Sequence, residues 1–103
     1  MSRVTFPPKT ADETVLAVFD FLSLLGIGET LSSASVTASV YSGTDASPSS
    51  IISGSDTISG SQVRQLITAG EEGVTYLLTA TALTSASQTL QLSGYLVIAP
   101  ADE

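Results

Sequence analysis

Residues 62–83 read QVRQLITAGEEGVTYLLTATAL, and this stretch is the most informative about the fold of the 103-residue chain. Residues 74–83 alternate between two faces, one of which carries Tyr76, Leu78 and then two alanines, as expected of a β-strand. Residues 62–67 form a second predicted strand. Between the two strands, TAGEEG contains the glycines of a tight turn and is unlike a regular helix. The stretch therefore predicts two strands joined by a glycine-bounded corner.

The corner itself has a more specific interpretation. Leu66, Gly70, Gly73 and Tyr76 form a set that an immunoglobulin-like sandwich uses at the corner between its strands E and F. In such domains, a tyrosine just inside the second strand hydrogen-bonds to the backbone of the preceding corner. Tyr76 is predicted to make this bond, and the alternative is that Tyr76 is an ordinary core aromatic.

The rest of the chain adds further short strands. Residues 14–21, 30–41 and 88–98 alternate in the same way, and turns rich in serine and glycine lie between the predicted strands. No amphipathic helix pattern occurs. About seven short strands predict an all-β fold, an immunoglobulin-like antiparallel β-sandwich, with a barrel as the alternative. The predicted domain covers residues 14–98, and residues 99–103 form a predicted acidic tail.

The N-terminal residues 1–13 are predicted to lie outside the core. Phe6 is followed by two prolines, which impose an extended path and cannot sit within a central strand. The segment is therefore either a frayed terminus or an extended arm that docks on a neighbouring subunit. Because the rest of the chain is acidic, the cations Arg3 and Lys9 and the aromatic Phe6 are candidate partner contacts.

Two tyrosines outside the corner are also candidate partner contacts. Tyr41 and Tyr95 lie on the predicted outer faces of their strands. Tyrosine is enriched in the cores of protein interfaces. An isolated exposed tyrosine is equally ordinary, and this alternative stays open.

The charge of the chain argues against two classes of partner. Three basic and ten acidic residues give a net charge of −7. Binding to nucleic acid depends on clustered lysine and arginine, and binding to anionic membrane surfaces also needs basic residues. No stretch of about 20 apolar residues occurs, as a membrane-spanning helix would require. Neither a nucleic acid nor a membrane is therefore an expected partner.

The residue inventory also argues against catalysis. Histidine and cysteine are absent, so the usual general base and the thiolate nucleophile are missing. Glu71 and Glu72 are adjacent in a turn, where their side chains are expected to diverge into solvent. Asp45 and Asp56 lie in serine-rich loops without the ligand spacing of a calcium loop. No catalytic residue, metal ligand or cofactor is predicted.

Several motifs follow one another along the chain: Lys9 before an acidic stretch, Phe19-Asp20-Phe21, Gly28-Glu29-Thr30-Leu31, Ser35-Val36-Thr37, and the series Leu66, Gly70, Gly73 and Tyr76. Their order resembles that of a group of small virion proteins of tailed bacteriophages, described as fiber–tail adaptor proteins and found among head-to-tail connector components. The chain departs from the family pattern at Ala69, where members usually carry a glycine.

This resemblance implies an immunoglobulin-like β domain that acts as a non-enzymatic assembly component. The implied location is the virion, at the tail or the head–tail junction, after synthesis in the host cytoplasm. The implied partners are tail or connector proteins (adaptor, nozzle or portal-proximal), tail fibers and further copies of the same chain. The alternative is a capsid decoration protein or a carbohydrate-binding β-sandwich module.

Overall fold

The structure, a computed structural model, describes residues 3–100, with side chains from residue 5 onward. Within this range the chain forms eight strands and two short 3-10 turns, with no α-helix, so the prediction of an all-β fold is confirmed. The strands are β1 (Arg3–Thr5), β2 (Lys9–Thr10), β3 (Val15–Asp20), β4 (Leu31–Ser42), β5 (Ile52–Ser59), β6 (Gln62–Ile67), β7 (Thr75–Thr84) and β8 (Thr89–Ala99). The turns are Leu22–Leu24 and Pro48–Ile51.

The strands form two sheets. The larger has the order β1-β8-β7-β4, with β2 also paired to β8, and the smaller has the order β3-β6-β5. Neighbours are antiparallel except for β1 and β2, which run parallel to β8. The parallel pairing differs from the purely antiparallel arrangement that was predicted.

Both sheets contribute to one core. Alternate residues of β3 and β6 are buried, as are alternate residues of β7 and β8, because successive side chains of a strand point to opposite faces. The period-two prediction for β7 is confirmed, since Tyr76, Leu78, Ala80 and Ala82 are all fully buried. The buried cluster also includes Ala17, Phe19, Phe21, Val63, Ile67, Leu96 and Ile98.

The N-terminal segment differs most from the prediction. Instead of leaving the domain, residues 3–5 and 9–10 pair with the outer edge of β8. The two prolines separate β1 from β2 at the edge of the sheet, where a missing amide donor breaks no ladder hydrogen bond. The Phe6 amide donates to the Tyr95 carbonyl at 2.9 Å, and the Phe6 ring packs edge-on against Phe19 with centroids 5.3 Å apart. The segment is therefore part of the domain's own sheet.

The C-terminal bound of the domain differs slightly from the predicted one. Strand β8 extends through Ala99, one residue into the predicted tail. Residues 101–103 of that tail, residues 1–2 of the arm and the side chain of Arg3 lie outside the described part of the structure.

Candidate functional site

The β6–β7 corner has an unusual backbone. Ala69, Gly70 and Gly73 have φ angles of 55°, 104° and 81°, all in the left-handed region. Glycine adopts this region without steric penalty, whereas a residue with a Cβ atom pays about 1 kcal/mol or more. Ala69 therefore has a backbone conformation that favours glycine.

The Tyr76 hydroxyl ties this corner to a loop on another part of the chain. It accepts a hydrogen bond from the Glu71 amide at 3.0 Å and donates one to Asp45 Oδ2 at 2.6 Å. Asp45 belongs to the loop between β4 and β5. Sequence reasoning anticipated a bond to the corner backbone but missed Asp45, because nothing in the spacing of the two residues indicates their contact.

Both groups of this bond have shifted pKa values. Burial, helped by the hydrogen bond to Asp45, raises the pKa of Tyr76 to about 12. The hydrogen bond from Tyr76, followed by one from the Ser47 amide, lowers the pKa of Asp45 below its ordinary value. The pair therefore keeps a neutral phenol and an ionised carboxylate over a wide range of pH.

The remaining predicted corner residues occupy different environments. Gly70 packs directly under the Ile98 side chain, and the Gly73 amide donates to the Ile98 carbonyl at 2.9 Å. Leu66, in contrast, lies on the outer face of β6 opposite Leu16 and is 46% exposed. Leu66 is therefore placed on the solvent side of the small sheet.

Lys9 is used inside the domain. Its side chain is only 1% exposed, and its amine donates to the Ala69 carbonyl at 2.5 Å and to the Thr10 carbonyl at 2.7 Å. Burial lowers the pKa of Lys9, an effect that the nearby carboxylates of Glu13 and Asp12 oppose. Lys9 thereby joins β2 to the left-handed corner, whereas the sequence analysis placed it among the partner contacts.

The other two candidate contacts meet on the outer face of the larger sheet. The rings of Tyr41 and Tyr95 lie edge to face with centroids 4.5 Å apart, although β7 separates their strands. Tyr41 is 59% exposed. Leu77 pairs directly with Tyr95, and Val97 follows Tyr95 by two residues on β8. We call these four residues, Tyr41, Leu77, Tyr95 and Val97, the aromatic face.

Glu29 organises the opposite end of the sandwich, and the sequence analysis assigned it no role. Its carboxylate accepts the Thr84 hydroxyl at 2.5 Å and the Gly26 amide at 2.8 Å. The Thr84 hydroxyl oxygen in turn accepts the Gln88 amide at 3.1 Å, which closes the β7–β8 turn. The hydrogen bond from the Gly26 amide, followed by that from the Thr84 hydroxyl, lowers the pKa of Glu29. The acidic residue between Gly28 and Thr30 was the sequence feature that could have indicated this role.

Residues 3–100, the described part of the structure, contain neither a candidate metal site nor a candidate membrane-spanning helix. In that range no three acidic, histidine or cysteine side chains lie close enough together to hold a metal ion. Helices with the length and hydrophobicity needed to cross a membrane are likewise absent from that part of the chain.

Two packed sheets with hydrogen-bonded corners define the chain as a small all-β structural domain. The protein-family model described as podophage GP4 fiber-tail adaptor protein gp77 matches residues 9–97, and the chain belongs to this bacteriophage family. The matched range begins at Lys9 and ends one residue before Ile98, so it includes the whole corner. No curated protein matches the chain.

The Tyr76 hydroxyl leads to a prediction about pH. Tyr76→Phe is expected to cost about 1 kcal/mol at neutral pH, the usual net value of a hydrogen bond. Above pH 10 an unfolded tyrosine loses its proton while the folded one keeps it until about pH 12. The parent should therefore lose stability as pH rises through this window, and the variant should lack that loss.

Urea unfolding midpoints, measured from neutral pH to about pH 12, test this expectation. Tyr41→Phe is the matched control, because the Tyr41 hydroxyl lies on the exposed side of the sheet. Parallel midpoint curves for the parent and Tyr76→Phe over the whole range would contradict the assignment.

Proposed function

We propose that this chain is a non-enzymatic structural component of the phage tail that joins fibers to the tail through protein–protein contacts. The family match over residues 9–97 carries the proposal. The partners are tail or connector proteins on one side and tail fibers on the other. Several copies act together in the particle, at the tail or the head–tail junction.

The sandwich of this adaptor is immunoglobulin-like. Its strands β3, β6 and β5 correspond in order to strands B, E and D, and β4, β7 and β8 correspond to C, F and G. The position of Tyr76 near the start of β7 matches the tyrosine corner of such domains. The first strands differ, since β1 and β2 lie beside β8 instead of beside β3.

The aromatic face supplies the first contact surface. Tyr41 is more than half exposed, and its ring is already oriented against Tyr95. A side chain held in one orientation loses little conformational entropy on binding, and tyrosine is enriched among the residues that dominate binding energy. The net charge of −7 further favours a basic partner surface.

A substitution on this face should separate assembly from folding. Tyr41→Ala is expected to change the free energy of unfolding by less than about 1 kcal/mol, because the ring is mostly in solvent. The fiber content of purified particles should fall about tenfold, as for loss of a moderate binding hot spot. The measurement is quantitative mass spectrometry of particles made by a phage that lacks the gene and receives the variant in trans.

Leu83→Ala is the matched control, since Leu83 is 42% exposed on the same sheet but near the Glu29 end. Normal fiber content in Tyr41→Ala particles would contradict the proposed surface. Binding of the protein to tailless capsids, with no effect on fibers, would favour the capsid decoration alternative.

A further inference from the structure

A groove runs along one open side of the sandwich, between the N-terminal edge and β3. It consists of two cavities of about 140 and 420 Å³ that share Phe6 as a lining residue. Leu16 lines the first cavity, while Val18 and Leu24 line the second. The cavities therefore follow one another along β3, and the Phe6 side chain divides them.

The backbone that borders the groove has an unused edge. β3 pairs with β6 only, so on its other side its amides and carbonyls have no strand partner among residues 3–100. Edge strands are commonly protected by bulges, prolines or charges. β4 and β5 contain register shifts, but β3 pairs with β6 without interruption over all six residues. Its single charge is Asp20, at its end.

The groove exposes apolar surface to solvent. Leu16 is 50% exposed, Val18 is 37% exposed and Leu24 is 40% exposed. Covering apolar area stabilises a complex by about 25 cal/mol per Å² before the costs of association. A partner with apolar side chains at alternate positions would cover Leu16 and Val18 together, because both lie on the same face of β3.

Carboxylates mark both ends of β3. Asp12 and Glu13 precede the strand, and Asp20 ends it. The Asp12 and Glu13 carboxylates already interact electrostatically with the Lys9 amine, and Glu13 accepts a hydrogen bond from the Thr10 amide at 2.7 Å, whereas Asp20 has no cationic neighbour among the described residues. The Leu22 amide and the Ser61 hydroxyl hydrogen-bond to Asp20 and lower its pKa, so this carboxylate remains ionised. The groove is thus apolar in the middle and lined by Asp20 at one end, and Asp12 and Glu13 precede β3 at the other end.

We propose that this groove binds an extended basic segment of a partner protein, which pairs with β3 as an additional strand. Its alternate apolar side chains cover Leu16 and Val18, and a lysine or arginine at each end meets the carboxylates. Strand addition of this kind derives affinity from main-chain hydrogen bonds and specificity from the alternate side chains. The identity of the partner as a tail or fiber protein rests on the proposed adaptor function, whereas the binding mode does not.

The groove and the aromatic face are separate surfaces. Tyr41 and Leu77 lie on the outer face of the larger sheet, whereas the groove lies beside the free edge of the smaller sheet. An adaptor needs two surfaces if it is to hold two proteins at once. The groove therefore adds the second contact that the aromatic face alone does not supply.

A designed peptide tests the groove without any phage component. The probe is the fluorescein-labelled peptide KTVTVTK, whose valines and terminal lysines share one face of an extended strand, and its control is ETVTVTE, with binding to the full chain measured by fluorescence anisotropy. The lysine peptide should bind at least about tenfold more tightly than the glutamate peptide. Added salt should reduce this difference in affinity, because it screens the charges. Leu16→Ser should weaken binding of the lysine peptide about tenfold, because the groove loses apolar area.

Leu66→Ser is the matched control, since Leu66 pairs with Leu16 across the strands and has similar exposure but does not line the groove. Asp20→Asn should weaken binding of the lysine peptide and reduce its salt dependence. Unfolding midpoints verify that each variant is folded. Absence of binding, equal binding of both peptides, or an equal effect of the two serine variants would overturn the proposal.

One further outcome would also overturn it. If sedimentation showed that the parent forms a dimer that Leu16→Ser abolishes, a second copy of the chain would be the occupant. The proposed adaptor function is tested by a different experiment, because fiber incorporation by the Tyr41→Ala particles does not depend on peptide binding in the groove.

Discussion

A chain that begins at Ala11 is expected to unfold with a free energy about 4 kcal/mol lower than that of the full chain. Truncation removes β1, β2, the packing of Phe6 on Phe19 and both hydrogen bonds from the Lys9 amine. It also exposes the edge of β8. For a domain whose total stability is typically about 5–15 kcal/mol, the loss is large, and the melting temperature should fall by roughly 20 °C.

Point variants separate the contributions. Phe6→Ala should cost about 1–2 kcal/mol through lost apolar burial. Lys9→Met keeps the buried stem but leaves the Ala69 and Thr10 carbonyls without this donor, which should cost about 1–3 kcal/mol. Thr5→Ala, at an exposed position, is the control. Unchanged melting of the truncated chain would restore the interpretation of a frayed terminus or of an arm that acts only on a neighbour.

The second large effect is expected at the corner. A Cβ atom on Gly70 would lie 2.9 Å from both Cγ1 and Cδ1 of Ile98, and the φ angle of 104° adds backbone strain. Ile98 is fully buried in the core, so any movement of its side chain would disturb the packing of its neighbours. Gly70→Ala is therefore expected to cost about 3 kcal/mol, from strain and overpacking together.

Gly73→Ala provides a control with the same kind of backbone. Its φ angle is 81°, but an added Cβ would have no atom within 4 Å. This variant should cost only about 1 kcal/mol, the conformational part of the effect. Chemical denaturation of the two variants measures the difference. Equal losses would mean that the contact with Ile98 contributes nothing.

Strand β8 connects the features that these variants disturb. On one side β8 pairs with β1, whose Thr5 lines the groove, and with β2, and on the other side it pairs with β7. It carries Tyr95 of the aromatic face and Ile98 of the corner. Loosening the corner is therefore expected to affect both proposed contact surfaces, whereas Tyr41→Ala and Leu16→Ser each affect one.

The local elements of this protein could be predicted from the amino-acid sequence. Alternation of apolar and polar residues predicted β7 and β8 closely, and the predicted strand at residues 62–67 coincides with β6. The glycines of the corner and the order of the family motifs could also be identified from the sequence. These features depend on neighbouring residues only, because the period of a strand and the backbone freedom of glycine are local properties.

The contacts between residues that are distant in the sequence became known from the fold. The contacts of Tyr41 with Tyr95, of Asp45 with Tyr76 and of Lys9 with the corner each join separate parts of the chain. Such contacts depend on the register between strands and on which edge accepts the N-terminal segment. The two prolines excluded a central position for that segment but left its partner open. Its place beside β8 follows from burial of Phe6 and Lys9, which stabilises the folded domain as a whole and has no local signature in the sequence.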